Sequence, residues 1–145
     1  MREILFRAKA INRDKGFHRT SYKNGEWVYG LVTRLYDERF ENLPAEMTDI
    51  NGVSGIEVDY NTISDFTGLT DKNGKKIFEG DIVKVQDDIW GSPFCNGITG
   101  KVVYDETAFF IEPKNVMETQ RLFNECAVYE VIGNIHDNPE LLEGE

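Results

Sequence analysis

Residues 62–85 read TISDFTGLTDKNGKKIFEGDIVKV, and this run is the most informative one about the fold. Gly68 and Gly74 provide backbone conformations that other residues resist, and the Asp71 carboxylate can accept a hydrogen bond from the backbone two residues further on. These features predict a reversal between two antiparallel strands. The residues after the turn are expected to fill a core: Ile77, Phe78, Ile82, Val83 and Val85.

The same run carries side-chain oxygens that a cation site would use: Asp71, Asn73, Glu79 and Asp81. A calcium loop of the EF-hand type needs oxygen ligands at positions 1, 3 and 5, followed by glycine at position 6. Counting back from Gly74 places Leu69 at position 1, so the spacing does not fit. Turn chemistry explains these residues better, and no metal site is predicted.

Four Asn-Gly dipeptides punctuate the chain, and they are Asn24-Gly25, Asn51-Gly52, Asn73-Gly74 and Asn96-Gly97. Type I′ hairpin turns need positive φ at both central residues, which asparagine and glycine tolerate best. Each dipeptide therefore marks a candidate reversal between antiparallel strands. Four of them in one sequence predict a mostly β protein.

Alternation with a period of two predicts a strand from Trp27 to Leu35, with its hairpin partner at Ile4 to Ile11. One face would hold Trp27, Tyr29, Leu31, Thr33 and Leu35, and the other Val28, Val32 and Arg34. Further short strands are expected near residues 56–58, 76–86, 100–104, 108–112 and 128–135.

Helix is expected only in short pieces. The apolar residues Tyr36, Phe40, Leu43 and Met47 have helical spacing, interrupted by Pro44. Residues 117–126 can form a second short helix, and residues 61–65 can cap one helical turn. Asn138-Pro139-Glu140 has the order of an N-cap, a proline at the first helical position and an acidic first turn.

The chain has 145 residues and a net charge of −10, but its charge is unevenly placed. Residues 1–34 contain eight basic and three acidic residues, net +5, and the remainder carries −15. No apolar run approaches the roughly 18 residues that cross a bilayer, so we expect a soluble, cytoplasmic protein. Cys95 and Cys126 lack the spacing of a zinc site, and a disulfide between them is not expected inside a cell.

Three blocks resemble the YopX family of phage and prophage proteins, in order and spacing over nearly the whole sequence. They are MREILFRA (residues 1–8), the central run quoted above and EVIGNIHDNPELLE (residues 130–143). The resemblance implies a phage or prophage origin, an SH3-like β-barrel at the C-terminal end and no established biochemical function. It brings no catalytic residues.

A composition shift near residues 60–66 suggests two domains. After it, about five short strands in some 80 residues are enough for a small barrel. With the resemblance, the expected fold is mainly β: an N-terminal β-rich segment with short helices (1–62), followed by an SH3-like barrel domain (63–145).

The loop from Gln86 to Gly97 resembles an insertion at one mouth of this barrel. Trp90 and Phe94 lie there beside Asp87 and Asp88, a composition that suits a partner-binding loop because rigid aromatic side chains are good anchors. The alternative is that both rings cap the end of the barrel.

No catalytic constellation is found, so the protein is expected not to be an enzyme and to need no cofactor. The sequence has no Gly-x-Ser-x-Gly elbow, phosphate-binding glycine loop or His-Glu-x-x-His motif. His136 and Asp137 are adjacent, but on an extended backbone they would point opposite ways.

The favoured hypothesis is therefore a non-enzymatic phage or prophage accessory protein that binds another protein or its own copies, because the basic and acidic regions complement each other. Nucleic-acid binding through the basic N-terminal segment is the alternative, weakened by the negative remainder of the sequence. Mimicry of nucleic acid is a third hypothesis, but the carboxylates come only in doublets.

Overall fold

The computed structural model describes residues 3–12, 22–35, 45–87, 97–106, 108–113, 120–121 and 127–143. These residues form two antiparallel sheets, which confirms the prediction of a mainly β protein. The chain divides into two compact units, Met1–Phe66 and Thr67–Glu145. The division falls inside a strand, and each unit is described by itself below.

The first unit is built of short strands and one 3₁₀ turn. They are β1 (Phe6–Lys9), β2 (Trp27–Arg34), β3 (Ala45–Asp49), β4 (Ile56–Val58), the turn Tyr60–Thr62 and the start of β5 (Ser64–Thr70). Their order in the sheet is β4-β3-β2-β1-β5, so the predicted pairing of β1 with β2 is confirmed. Ala10 also bridges to Val58, and Ile11 N donates to Glu57 O at 2.8 Å. The outer edge of β4 is therefore covered by the segment after β1.

The core of this unit combines three alanines with four larger apolar side chains. It consists of Ala8, Ala10, Val28, Ala45, Met47, Ile56 and Val58. Gly30 is also buried, and a β carbon there would clash with the Thr48 carbonyl, so glycine lets β2 lie close against β3. The predicted alternation along β2 is confirmed, and the buried face is the one with Val28 and Gly30. Tyr29 and Leu31 lie on the opposite face, 36% and 51% exposed.

The second unit holds the remaining strands: β6 (Lys76–Phe78), β7 (Asp81–Asp87), β8 (Ile98–Asp105), β9 (Ala108–Pro113), β10 (Gln120–Arg121) and β11 (Ala127–Asn134). β6 is the hydrogen-bonded neighbour of β5, and the others form a sheet in the order β10-β9-β8-β7-β11. A second 3₁₀ turn, Pro139–Leu142, follows.

All five residues that were predicted to follow the turn into a core are buried. Ile77, Val83 and Val85 pack with Val102 and Ile111 in one cluster. The β-branched side chains of β7 reach this core because their strand lies between β8 and β11.

The closing block forms β11 and the turn after it. Register shifts between Val131 and Gly133, so β11 has a bulge there. A β carbon on Gly133 would lie 2.7 Å from Asn138 Oδ1 and 2.8 Å from a methyl group of Leu141. Glycine is therefore needed where the 3₁₀ turn folds back against the strand.

The Asn-Gly dipeptides lie at turns, but the predicted type I′ geometry is wrong for three of them. Glycines 25, 52 and 74 have φ between +80° and +87°, whereas no asparagine within the described segments has positive φ. Lys23–Glu26 instead has a type II pattern, with Glu26 N donating to Lys23 O. The other two dipeptides form three-residue loops that end on glycine. Asn96 lies outside the described residues.

The helix predictions hold only as 3₁₀ turns. Met47 lies in β3 and Gln120 and Arg121 lie in β10, so helix is wrong at these positions, while residues 36–44, 117–119 and 122–126 lie outside the described residues. The turn expected at residues 61–65 occurs at Tyr60–Thr62, and its N-cap is Asp59. Proline does open the turn after Asn138, although the Asn138 side group makes no capping hydrogen bond to it.

The second sheet is open over the part of the protein that the structure describes, with β10 and β11 at its two ends. The SH3-like barrel over residues 63–145 therefore stays a prediction. Within the same described segments, no helix has both the length and the apolar character that crossing a bilayer requires.

Candidate functional site

The structure describes little of the predicted binding loop. Asp87 is the last residue of β7, opposite Ala127 in register. Asp88, Trp90 and Phe94 lie outside the described residues, as do Cys95 and Cys126. The partner-binding role of Asp87, Asp88, Trp90 and Phe94 therefore stays a prediction.

A groove of about 710 Å³ in the first unit is the clearest candidate site among the described residues. It is lined by Phe6, Val32, Thr33, Arg34, Leu35, Tyr60, Asn61 and Ile63. Pockets that hold small ligands or side chains typically measure about 300–1,000 Å³. The groove is therefore large enough to take several side chains of a partner.

Three of the lining residues belong to the edge of the core. Phe6, Val32 and Ile63 are partly buried and pack against the core cluster of the first unit. The floor of the groove is therefore apolar and continuous with a packed interior.

The end of β2 forms one wall. Register between β2 and β3 shifts between Val32 and Arg34, and such a bulge re-aims the side chains that follow it. Leu35, just after the strand, is 60% exposed. Arg34 brings a positive charge to this wall, and Thr33 brings a hydroxyl group that donates to Glu46 O at 3.3 Å.

The 3₁₀ turn forms the opposite wall. Asp59 caps the turn by accepting from Asn61 N at 3.0 Å. The Thr62 hydroxyl group donates to Asp59 O at 2.7 Å and accepts from Lys9 N at 2.8 Å, which fixes the turn to β1. Tyr60 is held on this anchored turn, and 54% of its surface is exposed. Its ring is thus presented to solvent by a rigid support.

A second feature is a pair of aspartate turns, one in each unit. Asp49 Oδ1 accepts from Asn51 N at 2.9 Å and from Val53 N at 2.8 Å, and its Oδ2 accepts from the Tyr22 hydroxyl group at 2.8 Å. Burial by itself raises the pKa of Asp49, but these hydrogen bonds together outweigh it and lower the pKa below its usual value. Burial and the nearby Asp49 carboxylate raise the pKa of Tyr22 to about 12.

Asp71 repeats this arrangement. Its Oδ1 accepts from Asn73 N at 2.8 Å and from Lys75 N at 2.9 Å, and its Oδ2 accepts from Val131 N at 3.0 Å. Burial again raises the pKa, and the hydrogen bonds from Val131, Lys75 and Asn73 lower it further than burial raises it. The predicted bond from Asp71 to the backbone two residues on is confirmed.

Both carboxylates are thus used as backbone acceptors, which is a structural role. Over the described segments, no group of three or more His, Cys, Asp or Glu side chains is arranged to hold a metal ion. Asp81, a member of the rejected cation set, is buried and accepts from Phe78 N at 2.8 Å.

His136 and Asp137 lie in a turn after β11, so the extended backbone expected there is wrong. Asn134 Oδ1 accepts from the backbone N–H groups of both residues, at 3.0 and 2.9 Å. Asp137 Oδ2 accepts from Asn134 Nδ2 at 3.0 Å. These bonds make Asp137 a structural residue of the turn.

Two residues of the basic N-terminal segment pack on an aromatic ring. The Arg7 guanidinium lies 4.6 Å and the Lys9 ammonium 5.4 Å from the centre of the Trp27 ring. Arg7 is also only 4% exposed, so its charge is not presented to a phosphate. Arg2, Arg13, Lys15 and Arg19 lie outside the described residues.

Sequence reasoning missed the groove. Leu35 was predicted to be the last residue of a strand and lies directly after β2, but alternation says nothing about a bulge or about how far a core extends. Tyr60 was recognisable only as an aromatic residue before a helical turn. The one usable signal was the Asp59-x-Asn61 spacing, which is typical of an aspartate N-cap.

Comparisons with known proteins agree with the resemblance. A family model described as YopX protein matches residues 21–143. The crystal structure of protein EF1440 from Enterococcus faecalis is 29% identical in sequence, with a TM-score of 0.53, and the match covers 99% of this protein and 100% of that one. A comparison with curated protein sequences finds no match.

Proposed function

This protein belongs to the YopX family, and from its exposed apolar groove we propose that it is a non-enzymatic protein-binding module. The observation that carries the proposal is the groove between the end of β2 and the first 3₁₀ turn, where Leu35 and Tyr60 are both more than half exposed. An apolar groove lined with a few polar groups is the usual form of a binding site.

The groove favours one kind of occupant, an apolar segment of a partner protein that carries a carboxylate. Its apolar floor and the exposed Tyr60 ring suit an aliphatic or aromatic side chain. Arg34 is the charged residue of the lining, and guanidinium groups pair with carboxylates in bidentate geometry. Thr33 and Asn61 add hydrogen-bonding groups that fix the orientation of a bound backbone.

Selection from a displayed random-peptide library tests this proposal with a defined probe. We expect enrichment of peptides in which an apolar residue lies next to Asp or Glu. Leu35→Ser should abolish enrichment, whereas Leu31→Ser, a similarly exposed position on the outer face of β2, should leave it unchanged. Arg34→Glu should retain apolar peptides and remove the preference for acidic ones.

Two outcomes would count against the proposal. The first is that no peptide family is enriched by the folded protein. The second is that Leu35→Ser and Leu31→Ser reduce enrichment equally while both variants keep the wild-type melting temperature.

The loop with Asp87, Asp88, Trp90 and Phe94 is proposed as a second contact surface of the same module. Trp90→Ala tests it, because loss of a selected peptide at unchanged melting temperature supports binding. A fall in melting temperature with peptide binding intact would assign the ring to packing instead.

We also propose that the protein is a phage or prophage accessory protein of the bacterial cytoplasm, with an SH3-like barrel as its C-terminal domain. Supporting the barrel are the short antiparallel strands β7 to β9 and the bonds from the Asp71 turn to β11. Self-association is an alternative outcome, which light scattering would reveal as a salt-sensitive oligomer. Binding to nucleic acid would appear as a mobility shift at low salt.

A further inference from the structure

We propose that Asn51 and Asn73 are sites of spontaneous deamidation whose reaction is held in check by their folded turns. Both precede glycine, which leaves the following backbone nitrogen unhindered by a β carbon. This inference is independent of the groove. It concerns two Asn-Gly dipeptides that have no part in the proposed binding function.

The chemistry begins with attack of the glycine backbone nitrogen on the carbonyl carbon (Cγ) of the asparagine amide. The nitrogen gives up its proton, a new bond between this nitrogen and Cγ closes a five-membered succinimide, and the bond from Cγ to Nδ2 breaks to release ammonia. Water then opens the ring at either carbonyl group. The products are aspartate and isoaspartate, and the only co-reactant is water.

The folded turns oppose the first step. Gly52 N donates to Asp49 O, and Gly74 N donates to Asp71 O, each at 3.0 Å. The N–H bond that must be broken is therefore engaged, and the nitrogen is directed at a carbonyl oxygen rather than at the neighbouring asparagine amide. The asparagine backbone N–H groups are fixed as well, because each donates to an Asp Oδ1.

Both asparagines are nevertheless open to water. Asn51, Gly52, Asn73 and Gly74 are all exposed, and an added β carbon on either glycine would have no neighbour within 4 Å. No packing therefore prevents closure of the succinimide once the turn opens. The fraction of molecules with an open turn therefore scales the rate, because local opening is fast compared with succinimide formation.

Asn24 provides an internal comparison. Gly25 N donates to Ala10 O at 2.8 Å, and the Asn24 Oδ1 atom itself accepts from Asn12 N at 3.0 Å. In this dipeptide both the nucleophile and the electrophilic amide are held. We therefore expect Asn24 to react more slowly in the folded protein than Asn51 and Asn73.

The test is to age the whole protein near neutral pH with and without urea, and then to digest it and analyse the peptides by mass spectrometry. Deamidation gives a mass increase at each asparagine, and isoaspartate identifies the succinimide route. We expect all three sites to react at similar rates in urea. In the folded protein we expect rates at least about tenfold lower, since each turn is held by several hydrogen bonds, and Asn24 should be the slowest.

Two variants separate turn opening from global unfolding. Asp49→Ala should accelerate reaction at Asn51 alone, and Asp71→Ala should accelerate reaction at Asn73 alone, so each site is the control for the other. Asp59→Ala, which removes a similar carboxylate cap at Asn61 without a following glycine, should change neither rate.

Equal rates in the folded and the urea-denatured wild type would overturn the proposal, and this comparison needs no variant. Acceleration of both sites by either aspartate substitution would also overturn it, because that result means global unfolding. Hydrogen exchange of the Gly52 and Gly74 amides gives an independent check, since protection of both is expected.

Discussion

The turns Asp49–Val53 and Asp71–Lys75 share the pattern Asp-x-Asn-Gly-x and have the same backbone geometry in different units. In each, the aspartate N–H donates to the carbonyl of the fifth residue, at 2.8 and 2.7 Å, and the glycine N–H donates to the aspartate carbonyl at 3.0 Å. In each, one carboxylate oxygen accepts two N–H groups from inside the turn. The same five-residue pattern therefore forms the same turn in both units.

The second carboxylate oxygen distinguishes the two turns. Asp49 Oδ2 receives a side-chain hydroxyl, from Tyr22, whereas Asp71 Oδ2 receives a backbone N–H, from Val131 in β11. Lys72 N also donates to Tyr129 O at 2.9 Å, so the second turn makes two bonds to β11. Ile50 N likewise donates to Tyr29 O of β2 at 2.9 Å, so both turns bond to a neighbouring strand, and they differ in the donor to the second carboxylate oxygen. The second carboxylate oxygen therefore joins the same local turn to a side chain in the first unit and to a strand in the second.

The largest expected effect comes from removing the carboxylate that joins turn and strand. Asp71→Ala leaves three N–H groups without their acceptor, one of them on the partly buried residue Val131. Hydrogen bonds to charged groups contribute roughly 1.5–3 kcal/mol each and are not additive, so we expect a loss of about 3 kcal/mol in the free energy of unfolding. Urea denaturation measures it. Asp49→Ala should cost less, because its third donor is the Tyr22 hydroxyl group, which can rotate toward another acceptor, whereas the Val131 N–H is fixed in a strand.

Unfolding measured at decreasing pH tests whether the charged form of Asp71 provides this stability. Because the pKa of Asp71 is lowered in the folded protein, its contribution is complete above the usual value of 3.8 and is lost as the pH falls through the folded value. Wild type should therefore lose more stability in acid than Asp71→Ala does. Equal acid sensitivity of the two proteins would mean that the carboxylate charge has no part in joining turn and strand.

These turns also show how far the sequence could predict the fold. Asp71 and Gly74 identified a turn because aspartate caps and glycine conformations depend on neighbours within four residues. The type I′ assignment was wrong because an aspartate two residues before the asparagine favours the three-residue loop, in which only glycine needs positive φ. The partner of Oδ2 lies 60 residues away from Asp71, at a position that no local pattern encodes.

The candidate groove could not be predicted from the sequence, for a related reason. Its floor, Phe6, Val32 and Ile63, comes from three separate parts of the sequence, and these side chains are only partly buried. Alternation along β2 predicted two faces correctly, yet it could not tell that the face with Tyr29 and Leu31 is the exposed one. Burial depends on what packs against a face, and that is decided by the other strands.

A matched pair of glycine substitutions compares the backbones of the two turns, with an intermediate expected loss of stability. Gly52 and Gly74 have φ of +87° and +80°, and an added β carbon would meet no atom within 4 Å in either turn. The cost of Gly52→Ala and Gly74→Ala is therefore backbone strain alone, about 1 kcal/mol in each case. Thermal or urea unfolding should give equal losses. A much larger loss for Gly74→Ala would show that the two turns differ in backbone conformation, and not only in the hydrogen bond to the second carboxylate oxygen.

Alkaline pH should produce the smallest effect, and it should act on the Asp49 turn only. The pKa of Tyr22 is raised from 10.0 to about 12 by burial and by its bond to Asp49, so the folded protein holds this proton more tightly than the unfolded protein does. The associated stability is complete below pH 10.0 and declines as the pH rises toward about 12. Tyr22→Phe removes both the bond and the titration, so its urea midpoint should be lower than that of wild type near neutral pH and should change less over this alkaline range.

Asp71 has a backbone donor at the corresponding oxygen, and a backbone N–H does not titrate here, so Asp71→Ala should keep the full alkaline loss. An equal reduction of the alkaline loss of stability by Tyr22→Phe and by Asp71→Ala would contradict the geometry, in which the bonds to the second carboxylate oxygens of the two turns are independent.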